Sequence, residues 1–98
     1  MTIYNLEFHE AALKEWRKLD GSIKRQFKDK LAERLLCPRV PKAQLHGNDM
    51  QDTYKIKLRN VGYRLVYEVH DQTVTVLVLS VGRRDKNQAY LQAQSRKA

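Results

Sequence analysis

One segment in the middle of this sequence constrains the fold more than any other, because apolar and basic residues alternate strictly along it. Residues 54–59 read Tyr-Lys-Ile-Lys-Leu-Arg. Successive side chains of a β-strand point to opposite faces of its sheet, so the pattern predicts a strand with one apolar and one cationic face. Residues 63–69 alternate in the same way except at Val66. Together the two segments predict a β-hairpin with a buried face and a basic face.

The requirement that both apolar faces coincide restricts how the two strands can pair. Directly opposed residues of antiparallel strands share a face, and a one-residue slip would drive three basic side chains into the core. The sequence favours a turn centred on Val61-Gly62. This turn predicts three opposed pairs, namely Arg59 with Arg64, Lys57 with Val66, and Lys55 with Glu68.

A third strand is predicted over residues 74–81, which are apolar on both faces and therefore typical of a strand covered on both sides. A turn at residues 71–72 would set Arg64 opposite Leu79. The chain would then leave the sheet beside the basic face. At that edge of the sheet lie two arginines, Arg83 and Arg84.

Helical spacing dominates the first part of the chain. Apolar residues recur at three- and four-residue steps over residues 10–19, which predicts a helix that ends at Asp20-Gly21. Ser22 is the predicted N-cap of a second helix, which ends before Pro38. The apolar stripe of this second helix consists of Ile23, Phe27, Leu31 and Leu35.

Shorter elements are predicted at the two ends of the chain. Residues 2–8 are typical of a strand, and residues 87–97 of a closing helix. The segment over residues 38–52 is mostly loop. With 98 residues the chain is long enough for one domain and one modest hydrophobic core, so residues 1–98 are taken as a single domain.

The charge points to an anionic partner. The chain has 19 Lys and Arg against 11 Asp and Glu, a formal net charge of +8. Nucleic acid, an acidic protein or a membrane surface would all be attracted, and a solvated basic face without any partner has the same composition. No signal peptide or membrane span is apparent, and a lone cysteine, Cys37, suggests a reducing compartment. We therefore expect a cytoplasmic protein that has no membrane partner.

The basic face of the predicted hairpin is the strongest candidate for a site. Single lysines on the solvent-facing side of a strand commonly serve only to keep a protein soluble and to protect the sheet edge from pairing with another chain. Like charges directly opposed are destabilising unless an anion lies between them, and a phosphodiester is the natural ligand for such a cluster. Tyr90, in the closing helix, is placed to stack on a base beside this face. The clustered cations are Lys55, Lys57, Arg59 and Arg64.

Other site chemistry is poorly supported by the sequence. The three histidines, His9, His46 and His70, are far apart and lack metal-ligand or acid–base spacing. The chain has no glycine-rich phosphate loop, and Cys37 has no evident activating base. Neither a metal nor another cofactor is expected.

Four segments together resemble the RelE family of bacterial toxins. They are residues 13–19 (LKEWRKL), 54–59 (YKIKLR), 62–67 (GYRLVY) and 80–84 (SVGRR). The resemblance covers nearly the whole chain, in order and at the family's spacing. It implies an α+β fold related to microbial ribonucleases. In that fold an N-terminal strand and a helical hairpin pack on a small, mainly antiparallel sheet, followed by a short C-terminal helix.

The resemblance also implies a function, that of a metal-independent mRNA endonuclease acting in the ribosomal A site. Cleavage by attack of the 2′-OH needs a base, a clamp for phosphoryl charge and an acid for the leaving oxygen. Lys55 is the candidate base, because neighbouring cations should lower its pKa, although Glu68 opposite it would act the other way. The choice between Lys55 and Lys57 as the base stays open. The implied catalytic residues are Lys55, Lys57, Arg64, Arg84 and Tyr90, with Arg59 and Arg83 as further RNA contacts. Arg83 stands where the family often has lysine, which keeps the charge.

Partners follow from the same resemblance. They are a RelB-type antitoxin, the 70S ribosome with its 16S rRNA, and mRNA, while operator DNA is reached only through the antitoxin complex. The basic face of the second helix, Lys24, Arg25 and Lys28, is a further candidate for ribosome binding. Two alternatives remain, a ParE-like toxin that acts on DNA gyrase and a non-enzymatic binding module. ParE-type relatives lack this full set of basic positions, which argues against the first.

Overall fold

The structure is a computed structural model that describes residues 2–47, 49–83 and 88–97. These residues form four strands and three α-helices, with one short 3-10 turn before the second strand. In chain order the elements are β1 (Asn5–Phe8), α1 (Glu10–Arg17), α2 (Gly21–Leu36), the 3-10 turn (Pro41–Ala43), β2 (Thr53–Leu58), β3 (Tyr63–His70), β4 (Thr75–Arg83) and α3 (Gln88–Arg96). This is the α+β order that the family resemblance implies.

The strands form one sheet in the order β1-β4-β3-β2. β1 runs parallel to β4, whereas the other neighbours are antiparallel, so the predicted mainly antiparallel sheet is confirmed. Asn5 to Phe8 pair only with Thr75 to Val78. The later residues of β4 therefore need other partners along that edge, and a side chain from α1 supplies one of them, as described below.

The predicted pairing of β2 with β3 is wrong by two residues. The connection is a four-residue turn, residues 59–62, instead of a tight two-residue one. The N–H groups of Val61 and Gly62 both donate to the carbonyl oxygen of Leu58, at 3.3 and 2.9 Å, and Gly62 takes a φ of 71° that suits glycine. The opposed pairs are Lys57 with Arg64, Lys55 with Val66, and Thr53 with Glu68.

A shift of two residues keeps every side chain on its predicted face, because side chains alternate with a period of two. Tyr54, Ile56 and Leu58 are buried, as predicted, while Lys55 is half-buried and Lys57 is exposed. The assignment of an apolar and a cationic face is therefore confirmed. The like-charge contact that the sequence places between two arginines lies instead between Lys57 and Arg64.

The pairing of β3 with β4 also differs from the prediction. Arg64 lies opposite Gly82 instead of Leu79. The turn before β4 is two residues longer than expected and runs to Val74, and a register shift at Val66 and Tyr67 adds one more residue to β4. The sequence carries no signal for this bulge. The end of β4 still lies level with the start of β3, as predicted.

Helices cover both faces of the sheet. On one face the apolar stripe of α2, centred on the fully buried Phe27, packs with Tyr67, Ile56 and Leu65. Trp16 of α1 completes this core, its ring centroid 6.2 Å from that of Phe27. On the other face, α3 rests on a smaller cluster made by Val66, Leu79, Ala89 and Ala93.

Several element ends differ from the sequence prediction by a few residues. α1 ends at Arg17, two residues early, and β1 begins at Asn5, three residues late. α2 begins at Gly21 with Asp20 in the N-cap position, so the prediction of Ser22 as the cap is wrong. Among the described residues, no helix has the length and apolar character needed to cross a membrane.

Candidate nucleic-acid interface

The centre of the candidate site is a pair of cations on adjacent strands. Lys57 of β2 lies directly opposite Arg64 of β3, on the sheet face that α3 partly covers. The Arg64 guanidinium carbon lies 4.8 Å from the ring centroid of Tyr90. A cation at this distance from an aromatic face is attracted by the ring quadrupole. The predicted approach of Tyr90 to the basic face is therefore confirmed.

The position of Tyr90 depends on how α3 is held against the sheet. Ala89 and Ala93, one turn apart on α3, are both fully buried. Small side chains let the helix approach the sheet closely. The Ser80 hydroxyl donates to the Ala89 carbonyl oxygen at 2.6 Å, which satisfies a buried polar group next to Tyr90. The start of α3 is thus fixed at the site.

The other end of α3 is held by an ion pair with α1. Arg96 donates from Nη1 to Glu15 Oε1 at 2.8 Å and from Nη2 to Glu15 Oε2 at 3.1 Å. Its Nη1 also donates to the carbonyl oxygen of Leu79 at 2.8 Å. Glu15 Oε1 accepts the Val81 N–H at 3.1 Å, on the part of β4 that β1 leaves uncovered. This group of contacts is called the Arg96 latch below.

A second ion pair follows immediately along the chain. Lys97 Nζ lies 2.8 Å from Glu68 Oε2 and also donates to the Thr53 hydroxyl and to the carbonyl oxygen of Gln51. The other oxygen of Glu68 lies 2.8 Å from His70 Nε2. The expected position of Glu68 opposite the candidate base was therefore wrong, since this carboxylate is engaged at the other end of the strand.

The crowding of cations changes the ionisation of one lysine. The charge of Lys55 chiefly lowers the pKa of Lys57, and partial burial, Arg64 and Arg59 add to the effect. Sequence reasoning had assigned the effect of neighbouring cations to Lys55. In the structure, these charges favour the neutral form of Lys57. Burial raises the pKa of the Tyr90 hydroxyl, with Arg64 acting in the opposite sense, so this group stays protonated at neutral pH.

A small groove opens beside this cation pair. It has a volume of about 280 Å³ and lies at the end of the β2–β3 hairpin. Arg59, in the turn, contributes to its wall, so three predicted cations share one cavity. Among the described residues, no group of three or more His, Cys, Asp and Glu side chains is arranged to hold a metal ion. The lining residues are Lys57, Leu58, Arg59, Tyr63 and Arg64.

The remaining predicted residues lie in different places. Arg83 pairs with Tyr63, its guanidinium carbon 5.7 Å from that ring, on the opposite sheet face from Arg64. Arg84 lies outside the described residues. The basic residues of α2 belong to the helix that covers the face opposite Tyr90, so the structure does not bring them to the cation pair. These residues are Lys24, Arg25 and Lys28.

Sequence reasoning missed two cations that line a neighbouring groove. The sequence alone singles out neither Arg34, in α2, nor Lys42, in the 3-10 turn. Both line a groove of about 340 Å³ that also contains Lys55, Lys57 and Arg59. Both residues are distant in sequence from β2, and the sequence does not show that the loop after the 3-10 turn folds back onto this strand. The bridge between Gln44 and Tyr54 makes that contact.

A third cluster ties together the far end of the molecule. Arg39 forms ion pairs with Asp52 at 2.9 Å and with Asp71 at 2.7 Å. The Tyr4 hydroxyl donates to the second oxygen of Asp71 at 2.7 Å. The hydrogen bond from Tyr4, with that from Arg39, holds the pKa of Asp71 below its ordinary value. This cluster joins four separate segments of chain and lies away from the cation pair.

Comparison with known proteins finds close similarity over nearly the whole chain. The sequence profile of a family described as "ParE toxin of type II toxin-antitoxin system, parDE" matches residues 6–88. The chain is 52% identical over 93 residues to "mRNA interferase toxin RelE" of Escherichia coli strain K12. That alignment covers 95% of this chain and 96% of the relative.

Solved structures agree with the sequence comparison. A mutant of E. coli toxin RelE in the free state superposes with a TM-score of 0.90 at 48% identity, covering 99% of this chain and 100% of that chain. The toxin in the crystal structure of the intact E. coli RelBE toxin–antitoxin complex gives a TM-score of 0.80 at 53% identity. There the match covers 85% of this chain and 99% of that chain.

Proposed function

The chain belongs to the RelE/ParE family of toxins from type II toxin–antitoxin systems, and we propose that it is a ribosome-dependent endoribonuclease that cleaves mRNA in the A site. The observation that carries the proposal is the cation pair Lys57–Arg64, in which the Arg64 guanidinium lies against the ring of Tyr90. A phosphodiester with an unstacked base beside it fits this arrangement, because the cations attract the phosphate and the ring offers a stacking surface. Inhibition of translation follows from the loss of intact mRNA.

The proposed reaction is an intramolecular transfer at phosphorus. A lysine takes the proton of the 2′-OH, the resulting oxygen attacks the adjacent phosphorus, and the bond to the 5′-oxygen breaks. The products are a 2′,3′-cyclic phosphate and a 5′-OH end. Lys55 is the base proposed from the sequence, and the lowered pKa of Lys57 supports that residue as an alternative. The other site residues are proposed to stabilise charge or to position the RNA.

Arg64 is proposed to hold the phosphoryl oxygens as negative charge develops on them, helped by whichever lysine is not the base. Arg84 is proposed to stabilise or protonate the leaving 5′-oxygen. Tyr90 is proposed to stack on the base next to the scissile bond, with its hydroxyl kept neutral by burial. Arg59 and Arg83 are proposed as flanking RNA contacts, and Lys24, Arg25 and Lys28 as contacts to the ribosome.

The lack of the usual acid–base groups in the described part of the groove favours a nuclease that depends on the ribosome. The described part of the cation-pair groove contains neither a histidine nor a carboxylate, the usual acid–base groups of nucleases. An unperturbed lysine has a pKa of about 10.4 and is protonated at neutral pH, so it is a poor base unless its pKa falls far. Such a site gains most from a partner that holds the nucleotide in the reactive geometry. We therefore expect weak cleavage of free RNA.

The proposed biological context is that of a cytoplasmic toxin neutralised by a RelB-type antitoxin. A similar solved structure is described as the intact E. coli RelBE toxin–antitoxin complex, which supports this partner. We propose that an antitoxin segment covers the sheet and displaces α3, which would remove Tyr90 from the site. Operator DNA would be bound only through the antitoxin complex. The family profile is named for ParE, but 52% identity to an mRNA interferase favours RNA over gyrase.

Primer extension on mRNA in a programmed 70S complex with an empty A site tests the function. Wild type should cut within the A-site codon and leave free RNA nearly intact. Arg64→Ala, Arg84→Ala and Lys55→Ala should slow the cut sharply. The control is Lys14→Ala, an exposed α1 substitution that removes the same charge from a residue outside the two grooves. Absence of a cut by folded wild type would refute the proposal, and DNA supercoiling by gyrase would then be assayed.

The pH dependence of cleavage distinguishes the two lysines. If one lysine is the base, its replacement by alanine should abolish the rise in rate with pH below the pKa of that lysine, and the other replacement should lower the rate at every pH. Retention of the same pH profile in both variants would exclude both lysines as the base.

A further inference from the structure

The groove lined by Arg34 and Lys42 adjoins the groove beside the cation pair, and the two grooves share Lys57 and Arg59. It is bounded by the end of α2, the 3-10 turn and β2, which is the edge strand of the described sheet. Its volume of about 340 Å³ equals that of roughly ten water molecules, enough for a phosphate group and its ribose. Five of its seven lining residues are cationic and none is acidic. They are Arg34, Val40, Lys42, Ala43, Lys55, Lys57 and Arg59.

One of these cations is held rigidly by the core. Arg34 Nη1 donates to the Tyr67 hydroxyl at 2.9 Å and to the Lys55 carbonyl oxygen at 3.2 Å. The Tyr67 hydroxyl in turn donates to the Pro38 carbonyl oxygen at 2.6 Å. The guanidinium carbon also lies 5.8 Å from the Tyr67 ring. Arg34 is thus fixed before any ligand arrives, which reduces the entropy cost of binding.

The fixed guanidinium still has donors to offer. Among the described residues, the structure gives Nε and Nη2 of Arg34 no hydrogen-bond partner, and the side chain is only half-buried. A planar guanidinium with two adjacent N–H groups matches the oxygens of a phosphate. Lys42 is exposed in the 3-10 turn on the same groove and adds a mobile charge. The pair therefore combines one rigid and one adaptable contact.

The clustered positive charges of this groove repel one another in the absence of a ligand. Lys57 and Arg59 line both this groove and the groove beside the cation pair, and the charges of Lys55 and Arg59 help to lower the pKa of Lys57. A phosphate between them would relieve this repulsion. Because Lys57 and Arg59 line both grooves, an RNA backbone bound at the cation pair can continue into the groove of Arg34 and Lys42.

We propose that this groove is a second phosphodiester subsite, in which Arg34 and Lys42 bind the backbone of single-stranded RNA next to the nucleotide held at the cation pair. The subsite rests on the proposed function, since it extends the RNA path of the same protein. Its ligand is a phosphate with its ribose, read by charge and not by base identity. The strand is either the mRNA itself or an unpaired segment of ribosomal RNA.

Salt-dependent binding tests the subsite without using cleavage. The affinity of the full-length protein for a fluorescein-labelled 12-nucleotide RNA would be measured by anisotropy over a series of KCl concentrations. Loss of one phosphate contact should reduce the slope of log affinity against log salt by about 0.7, or roughly fourfold in affinity at 0.15 M salt. Lys42→Ala should show this change. Lys14→Ala, which removes an equal charge from α1, should show almost none.

A second variant and a second ligand complete the experiment. Arg34→Lys keeps the charge but loses the planar fork, so weaker binding with an unchanged salt slope is expected, after thermal unfolding confirms the fold. Sedimentation with 70S ribosomes repeats the comparison. If Lys42→Ala weakens binding of the free oligonucleotide, the subsite binds the same strand as the cation pair, which is the mRNA. If it weakens binding to ribosomes alone, the subsite binds ribosomal RNA.

Two results would overturn the subsite. One is an unchanged salt slope for Lys42→Ala with both ligands, and the other is an equal change in Lys14→Ala, which would reveal only the general field of the protein. Normal cleavage by wild type together with either result would refute the subsite alone. A slope change in a protein that never cleaves mRNA would refute the nuclease and leave the subsite standing.

Discussion

Replacing Arg96 by glutamine should loosen α3 locally while the sheet stays folded. The side chain makes two hydrogen bonds to Glu15 and one to the Leu79 carbonyl oxygen, and it is only 15% exposed. A hydrogen bond to a charged group contributes about 1.5–3 kcal/mol. Glu15 keeps the Val81 N–H and glutamine can keep one bond. We therefore expect the free energy of opening α3 to fall by about 2 kcal/mol.

Native-state amide exchange measures this opening residue by residue. Because 1.4 kcal/mol corresponds to a factor of ten, amides in the last turn of α3 should exchange roughly 30-fold faster in Arg96→Gln. Amides of β3 should change little, since they open with the whole domain. Arg17→Gln is the matched control, because Arg17 is exposed at the end of α1.

Three outcomes would contradict the reasoning. Unchanged protection of α3 would mean that the Arg96 latch contributes nothing beyond solvent-exposed ion pairs. Equal acceleration of α3 and β3 amides would mean that α3 does not open independently of the sheet. The same acceleration in Arg17→Gln would assign the effect to net charge. The outcome matters for function because Tyr90 is carried by the helix that the latch holds.

Three further predictions concern Lys57 of the cation pair, Asp71 and the displacement of α3. Lys57→Gln should abolish or strongly slow A-site cleavage yet raise stability by about 0.5 kcal/mol in urea unfolding, because it removes a like charge opposite Arg64; a loss of stability would contradict this. Tyr4 and then Arg39 lower the pKa of Asp71, so its contribution to stability is fully present above pH about 3.8 and is lost as the pH falls through the folded pKa. Asp71→Asn should therefore lower the melting temperature at pH 7, and its difference from wild type should shrink as the pH falls below about 3.8. An antitoxin peptide should accelerate amide exchange in α3, and unchanged protection in the complex would argue against displacement of the helix.

The faces of the sheet could be predicted from the sequence, whereas the pairing of its strands could not. Alternation fixes whether a side chain is buried, and a shift of two residues leaves alternation intact. Thus Lys57 was correctly placed on the cationic face but given the wrong partner. The true turn length depends on a hydrogen-bonded loop closed at Gly62, and nothing in residues 59–62 demands four residues instead of two. The β4 bulge has a similar origin, since an extra residue leaves no trace in an apolar run.

The contacts that support the candidate site lay beyond sequence reasoning for another reason. Glu15 and Arg96 are 81 positions apart, and a charge pattern within one helix cannot indicate a partner on another. The same holds for Arg34 of α2, which donates to the carbonyl oxygen of Lys55 in β2, 21 positions later in the chain. By contrast, Tyr90 beside Arg64 was predicted, because the end of β4 had to lie next to the basic face. The chemical roles of these residues remain predictions.

The small residues of α3 set the requirements for any molecule that would replace this helix. Ala89 and Ala93 are four positions apart and seal Val66 and Leu79 against water. Lifting the helix exposes that apolar surface, so a competitor must bring its own small side chains at the same spacing. A peptide inhibitor can therefore be designed by copying the buried face of α3 and replacing Tyr90 with a side chain that blocks the cations. The sequence of α3 is thus the starting point for an inhibitor of this protein.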